Sequence, residues 1–259
     1  EDTLIVSTSG RYEFRNKGID VFIDAMNRLR FDERLNKKVV AFVDVPAWVG
    51  SAREDLAERL NASPNTVFDT PLPCPMLTHW LHNMEHDNIL TMLRALDFAN
   101  NKQDKVKIIF VPCYLNGNDG IFNMPYYDLI LGNDICVYPS YYEPWGYTPL
   151  EAVAFSIPCV TTDLAGFGIW AQQVLEADNA ENNLSNGVKV VHRTDYNYHE
   201  VADEIKDAVA NYALLPKTAV TKAREKAKSL SKKALWKKFI AYYNEAYHMA
   251  LTKTEERTK

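Results

Sequence analysis

The feature that most constrains this chain is a sustained alternation of short aliphatic and β-branched runs with longer runs of helical period. Residues 4–8, 39–43, 106–111, 135–138, 158–162 and 187–191 read as strands. Residues 18–29, 53–60, 77–81, 89–99, 126–131, 148–155, 166–176, 198–213, 217–229 and 232–251 read as helices. The first of these carries Val21, Phe22, Ala25, Met26 and Leu29 on one face. Strands separated by helices must pair in parallel, and right-handed crossovers then place helices on both sides of one sheet. The expectation is an α/β fold, a Rossmann-like doubly wound parallel sheet of about six strands. Ligands of such a sheet sit at the carboxyl ends of its strands. Residues 63–76 hold four prolines and read as loop. Residues 1–230 form the expected sheet domain, and residues 231–259 a last helix with a polar, frayed tail after Leu251.

At 259 residues and 47% hydrophobic content the chain can bury a large core without a disulfide or metal staple. Its net charge of -5 argues against a nucleic-acid or anionic-membrane partner. Cys74, Cys113, Cys136 and Cys159 form no CxxC pair and read as reduced thiols of a cytoplasmic protein. No run approaches the roughly 18–20 apolar residues of a membrane span. The chain opens on Glu1-Asp2 without an initiator Met and reads as a fragment cut just upstream of a strand.

Two stretches carry the chemistry. The first strand runs into Ser9-Gly10-Arg11-Tyr12-Glu13-Phe14-Arg15-Asn16-Lys17-Gly18. Gly10 lets the chain turn off the strand tip. Arg11 then lies at the sheet edge and Lys17 where the helix begins, a fork and a point charge suited to a diphosphate. The second stretch is Tyr138-Pro139-Ser140-Tyr141-Tyr142-Glu143-Pro144-Trp145-Gly146-Tyr147-Thr148-Pro149-Leu150-Glu151. Here the amides of Gly146, Tyr147 and Thr148 would point outward from a helix start as an anion cradle. Of Glu143 and Glu151, eight residues apart, one would take both hydroxyls of a ribose and the other would face a sugar. Alternatively, Glu151 serves the helix dipole and Trp145 the core. A third turn, Asp163-Leu164-Ala165-Gly166-Phe167-Gly168, allows close backbone approach at the same edge.

These runs resemble the animal and fungal glycogen synthases. Residues 9–18 are similar to that family's GRYEF-x-NKG segment, and residues 141–151 to its form of the E-x7-E motif of retaining glycosyltransferases. Residues 157–168 resemble its GIPSVTTNLSGFG run, and residues 105–110 its KVKVIF strand. The likeness spans about residues 4–178 and again the last helix. It implies the C-terminal, donor-binding half of a B-type glycosyltransferase, residues 1–230 being its nucleotide-sugar-binding domain and residues 231–259 a C-terminal crossover helix and tail, with the acceptor-side domain outside this chain, and a bacterial source. By this resemblance Arg11 and Lys17 hold the donor diphosphate, Glu143 lies beside the transferred glucose, and Glu151 binds the ribose. Backbone around Gly146, Tyr147 and Thr148 meets the phosphates, Trp145 belongs to the same donor loop, and Tyr126 or its neighbour Tyr127 stacks on the uracil. The implied reaction is transfer of glucose from UDP-glucose to the non-reducing end of an α-1,4-glucan with retention, without metal or other cofactor. Glu143, Arg11 and Lys17 are then the catalytic set. A homo-oligomer is left open.

The chain departs from that family in places. Residues 217–238 hold a single arginine, Arg224, where the eukaryotic enzymes carry an Arg-rich helix that senses glucose 6-phosphate. The family's HPEF reads Val111-Pro112-Cys113-Tyr114. The last helix carries Leu235, Trp236, Phe239, Ile240, Tyr243, Ala246, Tyr247 and Ala250 on an apolar face. That face either crosses back to the absent domain or packs on its own. His79, His82 and His86 fall at helical spacing, a metal-ligand pattern that the polar residues between them argue against. The rival readings are a stand-alone nucleotide or glycan-binding module and another B-type sugar-nucleotide enzyme such as an epimerase.

Overall fold

In the computed structural model, residues 3–258 are described. The opening Glu1-Asp2 and the final Lys259 lie outside them. The elements run β1 (Thr3–Ser9), α1 (Ile19–Leu29), β2 (Lys38–Asp44), β3 (Val49–Ala52), α2 (Glu54–Asn61), β4 (His79–Leu81), α3 (Asn88–Ala95) and β5 (Val106–Val111). After them come α4 (Tyr126–Ile130), β6 (Ile135–Val137), α5 (Tyr147–Ala154), β7 (Cys159–Thr162), α6 (Gly166–Ala177), β8 (Val188–Val191), α7 (Tyr198–Ala213), α8 (Lys217–Lys233) and α9 (Trp236–Thr258).

The main sheet has six strands in the order β5-β2-β1-β6-β7-β8, and every pair is parallel. Strand order reverses direction between β1 and β6, so the crevice for a ligand opens above those two carboxyl ends. The strands are buried or half-buried along nearly their whole length, as in sheets covered on both faces. On one side α1 lays Val21, Phe22, Ala25, Met26 and Leu29 into the core and packs against α7. On the other, α5 and α6 enclose Ala152, Val153, Phe167 and Ala171. All four cysteines are free thiols.

Two expectations are overturned. Residues 77–81 are not helical. Leu77 bridges to Phe110 of β5, and His79–Leu81 pairs antiparallel with β3, a strand that the sequence pattern did not reveal. The buried guanidinium of Arg53 fixes this segment by donating to the carbonyls of Cys74 (2.7 Å) and Leu77 (3.0 Å). Tertiary pairing here outweighs the local helical pattern. Consequently His79, His82 and His86 share no helix face. Second, the tail after Leu251 is helical to Thr258, with the Thr254 and Thr258 hydroxyls bonding back to the preceding turn. α3 also stops at Ala95, short of residue 99, where Asp97 takes a positive φ.

α9 stands apart from the rest. None of its 23 residues is fully buried. Phe239 packs edge-on against Trp145 (5.3 Å) and Trp170 (5.9 Å), while Trp236, Tyr243 and Tyr247 stay exposed. Beside this contact lies a cavity of about 600 Å³.

Candidate functional site

Three loops meet at the switch point: residues 10–18 after β1, 138–146 after β6, and 163–165 after β7. They are stitched together by their backbones. The amide of Tyr141 donates to the carbonyl of Asn16 (2.7 Å), that of Gly166 to Glu143 (3.1 Å), and that of Phe167 to Trp145 (2.7 Å). The Thr162 hydroxyl donates to the carbonyl of Ser140 (2.7 Å). Below them the buried Arg193 guanidinium donates to the Pro139 carbonyl and lies over the Tyr141 ring. Burial pushes its pKa down, against the pull of Asp20.

On this frame the structure brings Lys17 and Glu143 together. Lys17 Nζ donates to Glu143 Oε2, and the side chains are only 15% and 24% exposed. The pair joins two loops 126 residues apart in sequence. Beside it α5 starts at Gly146, whose φ of 102° is one that glycine adopts readily. No side chain caps this helix and no acid sits in its first turn, so no side chain takes up its leading amides, from Tyr147 and Thr148. Tyr147 is exposed.

The other expected residues are placed as follows. Arg11 is 76% exposed and pairs with Glu13 (3.0 Å), at the rim rather than with Lys17. Glu151, one turn into α5, accepts from the Tyr127 hydroxyl (2.8 Å), and this contact pushes the phenol's pKa up. Tyr126 is more enclosed, with its hydroxyl 2.7 Å from Ser9 Oγ and its ring 5.5 Å from that of Tyr127. Trp145 turns into an aromatic cluster with Phe167, Trp170 and Phe239. Arg224 is engaged with Asp134 (3.1 Å) and the Asn133 carbonyl (2.8 Å).

Sequence reasoning missed Glu13 and Asn16 as the residues that order the first loop. Asn16 Nδ2 donates to Glu13 Oε2 (2.6 Å). It also missed Arg193, which lies outside every motif and acts only through tertiary contact. Cys113, to which the sequence gave no partner, comes together with His79 and Asp119, ligand atoms within 4.8 Å of one another. In this group a ring N–H of His79 donates to the Asp119 carbonyl (2.8 Å). The Asp119 carboxylate accepts the amides of Ile121, Phe122 and Asn123. These bonds order the loop after β5.

A sequence model of glycogen synthase matches residues 1–61 and 65–257. Among curated proteins the chain is 27% identical to isoform 1 of glycogen [starch] synthase from Saccharomyces cerevisiae, over 97% of this chain and 43% of that protein. It is 29% identical to the glycogen [starch] synthase of Neurospora crassa and 28% to the human liver form, in each case over 42% of the relative. The chain thus spans less than half the length of the curated relatives it matches. A solved structure with a looser likeness is WaaG, a glycosyltransferase involved in lipopolysaccharide biosynthesis, at 16% identity and a TM-score of 0.47 over 90% of this chain and 46% of that one. With the family match running almost from end to end, the chain belongs to the glycogen synthase family.

Proposed function

We propose that this chain is the donor-binding half of a retaining glucosyltransferase, which moves glucose from UDP-glucose to the non-reducing end of an α-1,4-glucan. The observation that carries the reading is the meeting of Lys17 and Glu143 in front of the uncapped start of α5. The α-glucan acceptor is held by a preceding domain that the relatives' extra length accommodates, and residues 231–259 reach toward it. The protein works in the cytoplasm, without a metal and without a nucleic-acid or membrane partner. Among the described residues no helix is long and apolar enough to cross a membrane.

In the mechanism that follows, the donor diphosphate sits on the amides of Tyr147 and Thr148. Lys17 and Arg11 neutralise it, and Glu151 with Tyr127 takes the ribose. The bond from glucose C1 to the diphosphate oxygen breaks with its electrons going to UDP. The acceptor hydroxyl forms the new bond on the same face, and its proton passes to the departing phosphate oxygen. Glu143 lies beside the glucose, where its carboxylate steadies positive charge at C1. When the diphosphate enters, Lys17 shifts part of its interaction from Glu143 to phosphate. A fixed cationic cradle of this kind stabilises the charge that develops in the transition state.

Calorimetry of this chain with UDP in excess chelator, beside Arg11→Ala and Glu151→Ala, tests the reading. The expected dissociation constant for half a cleft is ~0.1–1 mM, lost in both variants, with ADP and GDP weaker. Tighter binding of ADP overturns the donor assignment. Unchanged binding in both variants overturns the site.

A further inference from the structure

β2 ends at Asp44, a carboxyl that the mechanism above does not use. In the parallel register Asp44 stands between Ser9 of β1 and Val111 of β5, and it shares a face of the sheet with Ser9. Phe42, two residues back on that face, meets Phe122 of the loop after β5 (6.2 Å). Ser9 is joined to Tyr126 on α4 (2.7 Å), and Tyr126 adjoins Tyr127, which holds Glu151. Asp44 therefore lies at the carboxyl edge of the sheet, between the Ser9–Tyr126 contact and the loop after β5. Asp44 Oδ1 is buried, and no donor reaches it. The amide of Gly10 goes to the Asp44 main-chain carbonyl instead (3.4 Å). Buried carboxyls are almost always partnered, because an unmade bond costs stability. At the ligand edge of a doubly wound sheet a bound ligand can supply such a partner.

We propose that Asp44 reads the base of the bound nucleotide, hydrogen-bonding an imide edge such as that of uracil. The inference rests on the donor-site reading above and adds to it what selects the base. A protonated carboxyl presents an O–H donor beside a C=O acceptor. The imide edge presents a C=O beside an N–H, in complementary order. Burial pushes the Asp44 carboxyl up to about 7, so the neutral form is at hand near neutral pH. The titratable groups that share its surroundings are Cys113 after β5, Tyr126 on α4 and Cys136 on β6. Burial pushes all three up, so none of them ionises between pH 6 and 8.5.

The test compares UDP with its N3-methyl derivative, in which the imide proton is gone, on the wild-type chain, Asp44→Asn and Asp44→Leu. The wild type should bind UDP roughly tenfold more tightly than the methylated ligand. Asp44→Leu should lose that ratio while inorganic diphosphate binds as before. Asparagine also pairs a donor with an acceptor, so Asp44→Asn should keep the ratio. It should also melt no lower than the wild type. Between pH 6 and 8.5 the wild type should weaken relative to Asp44→Asn, a comparison in which the ligand's own ionisation cancels. Equal ratios in the wild type and Asp44→Leu overturn the inference, while loss of UDP binding in Arg11→Ala leaves the donor site standing. If Asp44→Leu does not fold, a parallel pH course for the wild type and Asp44→Asn overturns it. If neither UDP nor diphosphate binds the wild type, both readings fall.

Discussion

Two helices start at the same edge of the sheet, and both start on a glycine in the left-handed region. Gly18 precedes α1 with a φ of 66°, and Gly146 precedes α5 with a φ of 102°. Neither helix has a side-chain cap, yet the two starts are finished differently. A Cβ on Gly18 would run into the Pro139 carbonyl and the Arg193 guanidinium. A Cβ on Gly146 would meet softer neighbours, the Pro149 ring at 3.2 Å and Glu143 Cγ at 3.5 Å. α1 carries its own acid, Asp20, in the first turn, whereas α5 carries none. One start is closed by its own chain, and the other is left open, as the proposed anion cradle requires. A strand-to-helix turn with a glycine is thus no sign of a binding site until its neighbours are known.

The comparison can be broken most forcefully at Gly18. Gly18→Ala should destabilise the protein by more than about 3 kcal/mol, because the added carbon displaces backbone. Denaturant unfolding measures this, and a wild-type midpoint would mean that the two loops do not cross so closely. Gly146→Ala should cost only about 1–2 kcal/mol of backbone strain but should abolish UDP binding. Retained binding with lowered stability would deny α5 its place in the site. A smaller effect on folding comes from the ion pair between the loops. Lys17→Gln and Glu143→Gln should each change stability by at most about 1 kcal/mol. Lys17→Gln should weaken UDP binding at least about tenfold; Glu143→Gln should not.

The smallest effect is at Asp20, where burial, only partly offset by the Val21 amide and two arginines, raises the pKa above the ordinary carboxylate value. A raised acid pKa means that the folded state holds its proton longer. The stability from this group is full below the unfolded pKa and is lost as pH rises through the folded value. Asp20→Asn should therefore gain on the wild type as pH rises from 4 to 8, by less than about 1 kcal/mol. Thermal melts across that range would show it, and a gain toward acid would reverse the argument.

The sheet was legible because period-2 and period-3.6 patterns alternate through most of the chain. The loops after β1 and β6 were legible because their residue types are chemically unusual for loops. Gly146, Lys17 and Glu143 could be singled out from sequence, but their meeting could not, since it depends on β1 and β6 being neighbours. The segment 77–81 misled because its apolar residues suit either period, and only the bridge to Phe110 and the grip of Arg53 decide between them. Asp44 gave no signal, since one acid at a strand end has no pattern. It became visible only when its oxygen was found without a partner.

The loose seat of α9 gives the protein an optical property. Of five tryptophans, Trp145, Trp170 and Trp236 line the cavity beside this helix. Intrinsic emission from this chain will therefore report mainly on how that helix is seated and less on the sheet. Trp145 also immediately precedes Gly146. Trp145 thus adjoins both the start of α5 and the seat of α9. A single unlabelled emission spectrum can then follow occupancy of the crevice and movement of the last helix together.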